Sequence, residues 1–309
     1  MPIDSDTETP NLLPETLLGE YPFKLSRVTV LGTGMSYIDE GPDSGEAFLF
    51  VHGNPTWSFA WRHIVSAVSQ SARAIAVDHI GCGLSDKPLN YDYSLEQRIS
   101  DLCEFITQLD LKQITLVAHD WGGAIGMGAA GRLPERFSRF VLMNTAAFRS
   151  TRIPFRIAVC RIPVLGTIAL RGLNAFSRAA LTMAVEKSER MTKAVRQGYL
   201  FPFDSWRNRI AVDAFVKDIP LRDSHRSLQT LIGVEEGLAQ FTDHPMQLIW
   251  GEKDWCFTTD FLDEFERRFP KAQTLRIPDA GHYVFEDAHE QIVEQLSQFT
   301  AENPLPTTT

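Results

Sequence analysis

The segment that most constrains the fold is Ala118-His119-Asp120-Trp121-Gly122-Gly123. It follows a β-branched run at 114–118 (ITLVA) and opens a stretch rich in small residues at 121–132. A strand that turns sharply into a helix, with small residues around the turn, is typical of a nucleophile elbow. The alternative is a surface aspartate that only caps the helix. The flanking glycines favour the elbow, with Asp120 at the nucleophile position where serine is common.

Short apolar runs alternate with amphipathic stretches along the chain. The pattern predicts strands at 47–51, 73–77, 114–118, 140–143, 247–250 and 274–277. It predicts helices at 57–68, 94–109, 121–132, 259–269 and 285–299, and Ser94 with Gln97 forms a possible capping box. Continuous apolar strands separated by helices indicate a mostly parallel sheet that is covered on both faces.

Residues 148–229 break this rhythm, because they contain helix-like segments and no convincing strand. We expect a helical cap over the carboxyl edge of the sheet. Residues 151–200 carry nine Lys or Arg against two Glu, in a chain whose formal net charge is −9. This basic stretch is either a solvated helical face or a surface that docks on a partner or a membrane.

Composition excludes several classes of protein. An acidic chain argues against a nucleic-acid binder. The four cysteines are widely spaced and show no metal-ligand pattern, so we expect neither disulfides nor a zinc site, and we expect a reducing cytoplasm. The apolar run at 162–170 has nine residues, against the roughly 20 that a membrane-spanning helix needs. Residues 1–23 and 303–309 are expected to be flexible.

An aspartate at the elbow has a chemical meaning. A serine that displaced a group from a saturated carbon would leave an ether, which water does not readily cleave. An aspartate leaves an ester, and attack of water on the ester carbonyl frees the enzyme. Asp120 therefore points to displacement at an sp³ carbon through a covalent intermediate.

The elbow needs a base and a group that orients it, and in this kind of fold they follow the nucleophile along the chain. His282 lies in the loop Asp279-Ala280-Gly281-His282-Tyr283, after the last predicted strand. Asp254 follows the preceding strand. We predict that His282 activates water and that Asp254 holds its tautomer.

A departing anion needs N–H donors in a dry site. Trp121 carries an indole N–H beside the nucleophile, and Asn54 carries an amide in the loop after residues 47–51. The backbone N–H groups of the same two residues could form an oxyanion hole. We predict that Asn54 and Trp121 stabilise the leaving group, although a tight turn and core packing would also explain them.

Five segments taken together resemble the haloalkane dehalogenase branch of the α/β-hydrolases over about residues 24–300: HGNPTWSFAWR (52–62), DHIGCGLSDKP (78–88), AHDWGGAIGMG (118–128), GEKDWCF (251–257) and DAGHYVFED (279–287). The resemblance implies an α/β fold with a mostly parallel eight-stranded sheet, helices on both faces and a helical cap after the sixth strand. It implies a core of residues 24–147 and 230–302, with the cap at 148–229.

In that family the catalytic triad matches Asp120, Asp254 and His282, and the halide donors match Asn54 and Trp121. One branch places its acid after the sixth strand, where this chain has Met143-Asn144-Thr145 and no carboxylate. Asp254 is therefore the expected acid. The combination resembles the third haloalkane dehalogenase subfamily, and it implies cleavage of a carbon–halogen bond to alcohol and halide.

The cap segments NTAAF (144–148), RGLNAFSRAAL (171–181) and WRNRIAVDAFVKDIPL (206–221) are also similar to the β-lactone decarboxylases of long-chain olefin biosynthesis. That resemblance implies loss of carbon dioxide from a β-lactone to give a cis-alkene. The same five residues would carry out this reaction. The sequence leaves open which ring atom Asp120 attacks. The resemblance also implies partner enzymes. The sequence supports dehalogenation and decarboxylation about equally.

Other functions fit less well. Epoxide hydrolases share an aspartate elbow, but they use HGFP where this chain has HGNP, and they need two cap tyrosines where residues 148–229 hold only Tyr199. A non-catalytic scaffold would usually have lost part of the triad. No metal or organic cofactor is implied, and the expected ligand is a small hydrophobic substrate. The basic cap could support a homo-oligomer, a multi-enzyme assembly or contact with a membrane surface.

Overall fold

A computed structural model describes residues 13–42 and 45–305. Its eight strands form one sheet in the order β1-β2-β4-β3-β5-β6-β7-β8. They are β1 (Leu25–Val30), β2 (Thr33–Glu40), β3 (Ala47–Val51), β4 (Arg73–Val77), β5 (Ile114–Asp120), β6 (Phe137–Thr145), β7 (Met246–Gly251) and β8 (Gln273–Ile277). The pairs β1–β2 and β2–β4 are antiparallel, and the other neighbours are parallel. The predicted mostly parallel, eight-stranded sheet is confirmed.

The helices follow the predicted alternation. They are α1 (Glu15–Leu18), α2 (Arg62–Val68), α3 (Leu95–Gln108), α4 (Trp121–Arg132), α5 (Phe155–Cys160), α6 (Leu165–Thr167), α7 (Ala175–Met183), α8 (Lys193–Leu200), α9 (Ile210–Lys217), α10 (Leu228–Gly237), α11 (Thr259–Arg268), α12 (Val284–Asp287) and α13 (His289–Glu302). No helix in the described part of the chain combines the length and apolarity needed to cross a bilayer.

The sheet is buried on both faces, as continuous apolar strands require. In β3, Leu49 packs in the cluster that contains the buried residues of α3, α4 and α11. Its neighbour Phe50 packs in the other cluster, with α2 and α13. Successive side chains of a strand point to opposite faces, so helices cover both sides and the carboxyl edge of the parallel strands is left for the site.

The predicted start of α3 is correct in position and partly correct in detail. Ser94 Oγ accepts the backbone N–H of Gln97 at 3.2 Å, as an N-cap does. The Gln97 side chain donates to Asp101 Oδ1 at 2.9 Å instead of turning back to Ser94. The reciprocal half of the capping box is therefore absent, because Asp101 offers a charged acceptor one turn along the helix.

The structure describes every residue from 146 to 245, and this segment contains helices and turns and no strand. The expected cap boundary between 229 and 230 falls inside α10. This helix packs on the core, since Val234 lies in the cluster of α3 and α4 beside Gly128. The cap at 148–229 stays a prediction, and its expected end would divide this helix.

The expectation that residues 1–23 are flexible is wrong for residues 13–23. Leu13, Leu17 and Tyr21 are buried. Tyr21 packs 5.0 Å from the Trp57 ring and shares a 2.6 Å hydrogen bond with Ser58 Oγ. Residues 1–12 and 306–309 lie outside the described residues. Within the expected tail, the carbonyl of Asn303 accepts a hydrogen bond from the buried Arg139.

Candidate active site

Asp120 ends β5 and immediately precedes α4. Its backbone has φ 52° and ψ −128°, a conformation that L-residues rarely adopt and that marks a strained turn. Glycine is required at two positions that follow Asp120. A Cβ at Gly122 would lie 2.0 Å from the carbonyl oxygen of Val51, and one at Gly123 would lie 2.0 Å from Thr145 Oγ1. The small residues of the motif therefore let the turn approach its neighbouring strands.

The carboxylate of Asp120 is held by backbone donors. The N–H of Asn54 donates to Asp120 Oδ1 at 2.6 Å, and the N–H of Trp121 is a second donor. Burial raises the pKa of Asp120, while the His282 charge and these two donors act against that rise. The same N–H pair that holds the carboxylate would face an oxyanion formed on an Asp120 ester.

His282 lies between the two predicted carboxylates. Its Nδ1 is 2.8 Å from Asp254 Oδ2, and its Nε2 is 3.8 Å from Asp120 Oδ2. Burial alone would lower the pKa of His282, but the charges of Asp254 and Asp120 outweigh it and raise the pKa above its ordinary value. The imidazole is oriented by one carboxylate and turned toward the other, as a base acting on an Asp120 ester would be.

Asp254 is fixed by donors on both of its oxygens. Oδ1 accepts the backbone N–H of Cys256 at 2.6 Å. Oδ2 accepts the side-chain amide of Asn144 at 3.0 Å and faces His282. The side chain is 2% exposed. A buried carboxylate with all of these partners has one available orientation, which in turn fixes His282.

Two supporting residues were not recognised in the sequence. Asn144, at φ 35°, also accepts the N–H of Gly251 at 2.8 Å and donates to its carbonyl at 3.1 Å, so it joins the ends of β6 and β7. His119 donates from Nε2 to the carbonyl of His282 at 2.8 Å. Burial holds the pKa of His119 well below its ordinary value, which keeps the ring neutral. The only signal for Asn144 was a polar residue inside the buried run of β6.

The predicted leaving-group donors both line the cavity next to Asp120. Asn54 donates one amide hydrogen to the carbonyl of Val212 in α9 at 3.3 Å, which leaves its second amide hydrogen available. Trp121 Nε1 has no hydrogen-bond partner among the described residues. The indole itself packs 5.5 Å from the ring of Phe215.

A buried cation stands behind this wall. The guanidinium of Arg98 lies 3.4 Å from the Phe215 ring centroid, on a fully buried side chain. Its Nε and Nη2 have no hydrogen-bond partner among the described residues. Arg98 therefore places a positive charge near the Trp121 side of the cavity, and no motif in the sequence announced it.

The cavity has a volume of about 320 Å³ and mostly apolar walls. Its polar end is formed by Asn54, Asp120, Trp121 and His282. Both the cap and the core supply the apolar walls, which include Ile157, Leu170, Phe176, Met183, Val216, Phe148, Leu231, Phe257 and Phe261. A cavity of this kind suits a ligand with one polar centre and an apolar remainder.

The five predicted residues therefore meet at one place: a carboxylate on a strained elbow, an imidazole beside it, a second carboxylate behind the imidazole, and two N–H donors at the cavity wall. The arrangement can form an ester on Asp120, deliver water to it and bind a small anion. Among the described residues, no group of three or more His, Cys, Asp or Glu side chains could hold a metal ion.

This fold and site define an α/β-hydrolase. Residues 48–295 match the Alpha/beta hydrolase family, and the chain belongs to that family. Its relatives are enzymes of two kinds, and the chain is itself an enzyme of this family.

A cis-3-alkyl-4-alkyloxetan-2-one decarboxylase of Shewanella oneidensis is 43% identical over 93% of this chain and 91% of its own length. Haloalkane dehalogenase 2 of Mycobacterium tuberculosis is 30% identical over 89% of this chain and 94% of its own length. The crystal structure of a haloalkane dehalogenase from Bradyrhizobium elkani superposes with a TM-score of 0.82 at 26% identity, covering 90% of this chain and 97% of that one. Both readings of the sequence, decarboxylase and dehalogenase, have support.

Proposed function

We propose that this enzyme decarboxylates cis-3,4-dialkyl β-lactones to cis-alkenes. The observation that carries the proposal is the 43% identity to the Shewanella decarboxylase over 93% of the chain. An alignment of that extent includes the cap, which shapes the substrate cavity, and not only the motifs that every member of the fold shares. The identity to the dehalogenase relative is lower over a similar extent.

The cavity supports a substrate of this class. A dialkyl β-lactone has a small polar ring that carries two hydrocarbon chains. Asp120, His282, Asn54 and Trp121 offer one polar end for the ring, and the remaining walls are mostly apolar, with Ser150, Arg152 and Arg156 as polar exceptions. Apolar walls from both the cap and the core suit two chains that leave the ring in different directions.

In the first step, Asp120 attacks the saturated ring carbon that bears the ring oxygen, not the carbonyl carbon. A bond forms from the Asp120 carboxylate to this carbon, and the bond from this carbon to the ring oxygen breaks with its electrons left on a free carboxylate. Displacement at a saturated carbon is the chemistry that an aspartate elbow favours over a serine elbow. Relief of strain in the four-membered ring drives the step.

In the second step, the new carboxylate leaves as carbon dioxide. Its bond to the neighbouring carbon breaks, those electrons form the double bond, and the bond to Asp120 breaks to return the aspartate. Inversion in the first step and anti departure in the second convert a cis-lactone to a cis-alkene. No water is consumed, so His282 serves here to balance charge and not to hydrolyse an ester.

We assign Asn54 and Trp121 to the carboxylate released in the first step. The free Trp121 indole N–H and the second Asn54 amide hydrogen are donors at the cavity wall, and Arg98 adds a positive charge behind it. Asp254 orients His282 through a hydrogen bond, and Asn144 holds Asp254 in place.

Dehalogenation is the second candidate, and the same five residues support it. A haloalkane would alkylate Asp120, and the halide would lie against Asn54 and Trp121. His282 would then deprotonate a water that attacks the Asp120 ester, with the Asn54 and Trp121 backbone N–H groups receiving the oxyanion. The relative from Mycobacterium tuberculosis and the structural similarity favour this candidate.

The contacts of Tyr199 disfavour epoxide hydrolysis. This tyrosine is the only one in residues 148–229, and it is buried with its hydroxyl donating to Glu286. It does not line the cavity, so it has no access to an epoxide oxygen at Asp120.

The test is to incubate the purified enzyme with a long-chain cis-dialkyl β-lactone and to measure alkene by gas chromatography, with Asp120→Asn as the control. The proposal expects cis-alkene that depends on Asp120. Halide release is measured in parallel with bromo- and iodoalkanes of matched length. Fast halide release without alkene would overturn the decarboxylase proposal in favour of the dehalogenase.

A further inference from the structure

The cap exposes an unusual amount of apolar surface. Among the described residues, the large apolar side chains that are exposed fall within residues 155–221, apart from Leu31 and Leu89. The densest group lies on α5, on α6, in the turn between them and directly after α6, and we call it the apolar rim: Phe155, Val159, Ile162, Val164, Leu165 and Ile168. Contiguous exposed apolar residues mark an interaction surface more often than a free one.

The tip of the rim is held out by a strained turn. Val164 has φ 65°, which is unfavourable for a β-branched residue. The N–H of Leu165 closes the turn onto the carbonyl of Pro163 at 2.8 Å. Val164 and Leu165 are 70% and 67% exposed as a result. A strained turn that exposes apolar side chains does not stabilise the folded state, so it indicates a function.

The rim's own stretch of chain carries charge of one sign, while Asp213 of α9 reaches Thr167 in α6. Residues 151–185 contain five arginines and no Asp or Glu, in a chain with 39 acidic residues. Some of these arginines are engaged, since Arg152 pairs with Asp260 and Arg161 donates to the carbonyl of Val216. The segment still carries positive charge beside exposed Phe155 and Leu165. Apolar side chains surrounded by arginine fit a surface that is apolar within and anionic at its boundary.

The rim is continuous with the cavity. Arg152, Ile153, Pro154, Arg156 and Ile157 line the cavity, and they adjoin or belong to α5, whose outer face carries Phe155 and Val159. The same segment therefore forms the exposed apolar rim and part of the cavity wall. A lipid layer in contact with the rim would lie next to the wall of the substrate cavity.

We propose that the apolar rim docks on an anionic lipid bilayer, so that Phe155, Val164 and Leu165 enter the interface and the arginines face lipid phosphates. The inference rests on the proposed function in one respect. A dialkyl β-lactone partitions into lipid, and docking would let it pass from the bilayer to Asp120 without crossing water. Binding to lipid can nevertheless be measured without any substrate.

The experiment is co-flotation of the full-length enzyme with vesicles of phosphatidylcholine alone or mixed with phosphatidylglycerol, at low and high salt. The test variant is the double change Phe155→Asp and Leu165→Asp, at two exposed positions that do not line the cavity. Its matched control is Leu31→Asp, an exposed leucine in the turn between β1 and β2. Turnover of a short-chain, water-soluble substrate checks that both variants are folded and active.

We expect the enzyme and Leu31→Asp to float with the anionic vesicles, less at high salt. The double variant should lose at least about tenfold in binding, since each aspartate replaces an apolar contact with a desolvated charge. Failure of the unmodified enzyme to bind either vesicle would overturn the proposal. So would self-association that the double variant abolishes, which would assign the rim to a protein interface. Vesicle binding without decarboxylation would leave the docking intact and refute only the substrate.

Discussion

Asn144, at the end of β6, donates its side-chain amide to Asp254, which follows β7, across 3.0 Å. Asp254 in turn faces His282 at 2.8 Å. The position after the sixth strand thus supplies a hydrogen-bond donor to the acid instead of the acid itself. This contact makes the orientation of His282 depend on the pairing of β6 with β7.

Replacing Asn144 should therefore damage both stability and turnover. Asn144→Ala leaves the Gly251 N–H without its partner, removes one of the donors to Asp254 and keeps a positive φ, so we expect a loss of about 2–4 kcal/mol in the free energy of unfolding. Asn144→Gly removes the same contacts but relieves the backbone, and should be less destabilising by about 1 kcal/mol. Urea unfolding measures both, and kcat should fall in both variants. Equal turnover in either variant and the unmodified enzyme would contradict a positioning role.

Asp120→Asn keeps the shape of the elbow and removes the nucleophile. Asn tolerates φ 52°, and its carbonyl oxygen can still accept the N–H of Asn54. We expect turnover to fall at least about 10³-fold, while the melting temperature stays the same or rises because a buried charge is lost. Circular dichroism and thermal melts check the fold. Residual activity near the starting level would exclude Asp120 as the nucleophile.

Oxygen exchange distinguishes the two candidate reactions. Hydrolysis of an ester at its carbonyl puts an oxygen from water into Asp120, whereas loss of carbon dioxide breaks the same bond that was formed. Turnover in ¹⁸O-water should therefore label the Asp120 peptide with a haloalkane and leave it unlabelled with a β-lactone. Mass spectrometry of that peptide reads the result. Label from the lactone would mean that its intermediate is hydrolysed.

The dependence on pH should separate them as well. His282 must be neutral to deprotonate water, and in the free enzyme the charges of Asp254 and Asp120 raise its pKa against the lowering effect of burial. Asp120 carries no charge once it is esterified, so Asp254 is the charge that supports the pKa of His282 in the ester, and hydrolysis should fall as the pH drops through that pKa. In Asp254→Asn the effect of burial prevails, so the falling limb should move to lower pH while the rate decreases. Decarboxylation, which needs no activated water, should lack this limb; a pH profile of kcat on each substrate decides.

Gly53 and Gly131 form a contrasting pair. A Cβ at Gly53 would lie 2.0 Å from Asp120 Oδ1, while one at Gly131, in α4, would meet nothing within 4 Å. Gly53→Ala should displace the nucleophile from its N–H donors and lower kcat by roughly 10²-fold. Gly131→Ala should stabilise the protein by about 0.5–1 kcal/mol with unchanged activity. If Gly53→Ala kept its activity, the Asp120 carboxylate would be able to move away from the added Cβ and still react, which would contradict the prediction.

Much of the fold could be predicted from local sequence, because apolar strands and helical periodicity are short-range signals. It located six of the eight strands, and the predicted ranges mostly lie within the observed ones. The pattern missed β1, an edge strand whose residues are mostly exposed or half-buried, and β2, in which polar residues and a glycine interrupt the apolar ones. It also assigned residues 13–23 to a flexible segment, although Tyr21 is buried among aromatic residues from 57–59.

The sequence by itself determined the elbow, the order of Asp120, Asp254 and His282, and the helical nature of the cap, because each rests on neighbouring residues or on a family pattern. Only the tertiary structure decided that Asn144 supports Asp254, that Arg98 stands behind Phe215, and that the exposed apolar residues adjoin the cavity wall. Those relations join residues that are far apart in the chain. They depend on how strands and cap pack, and local propensity carries no information about such contacts.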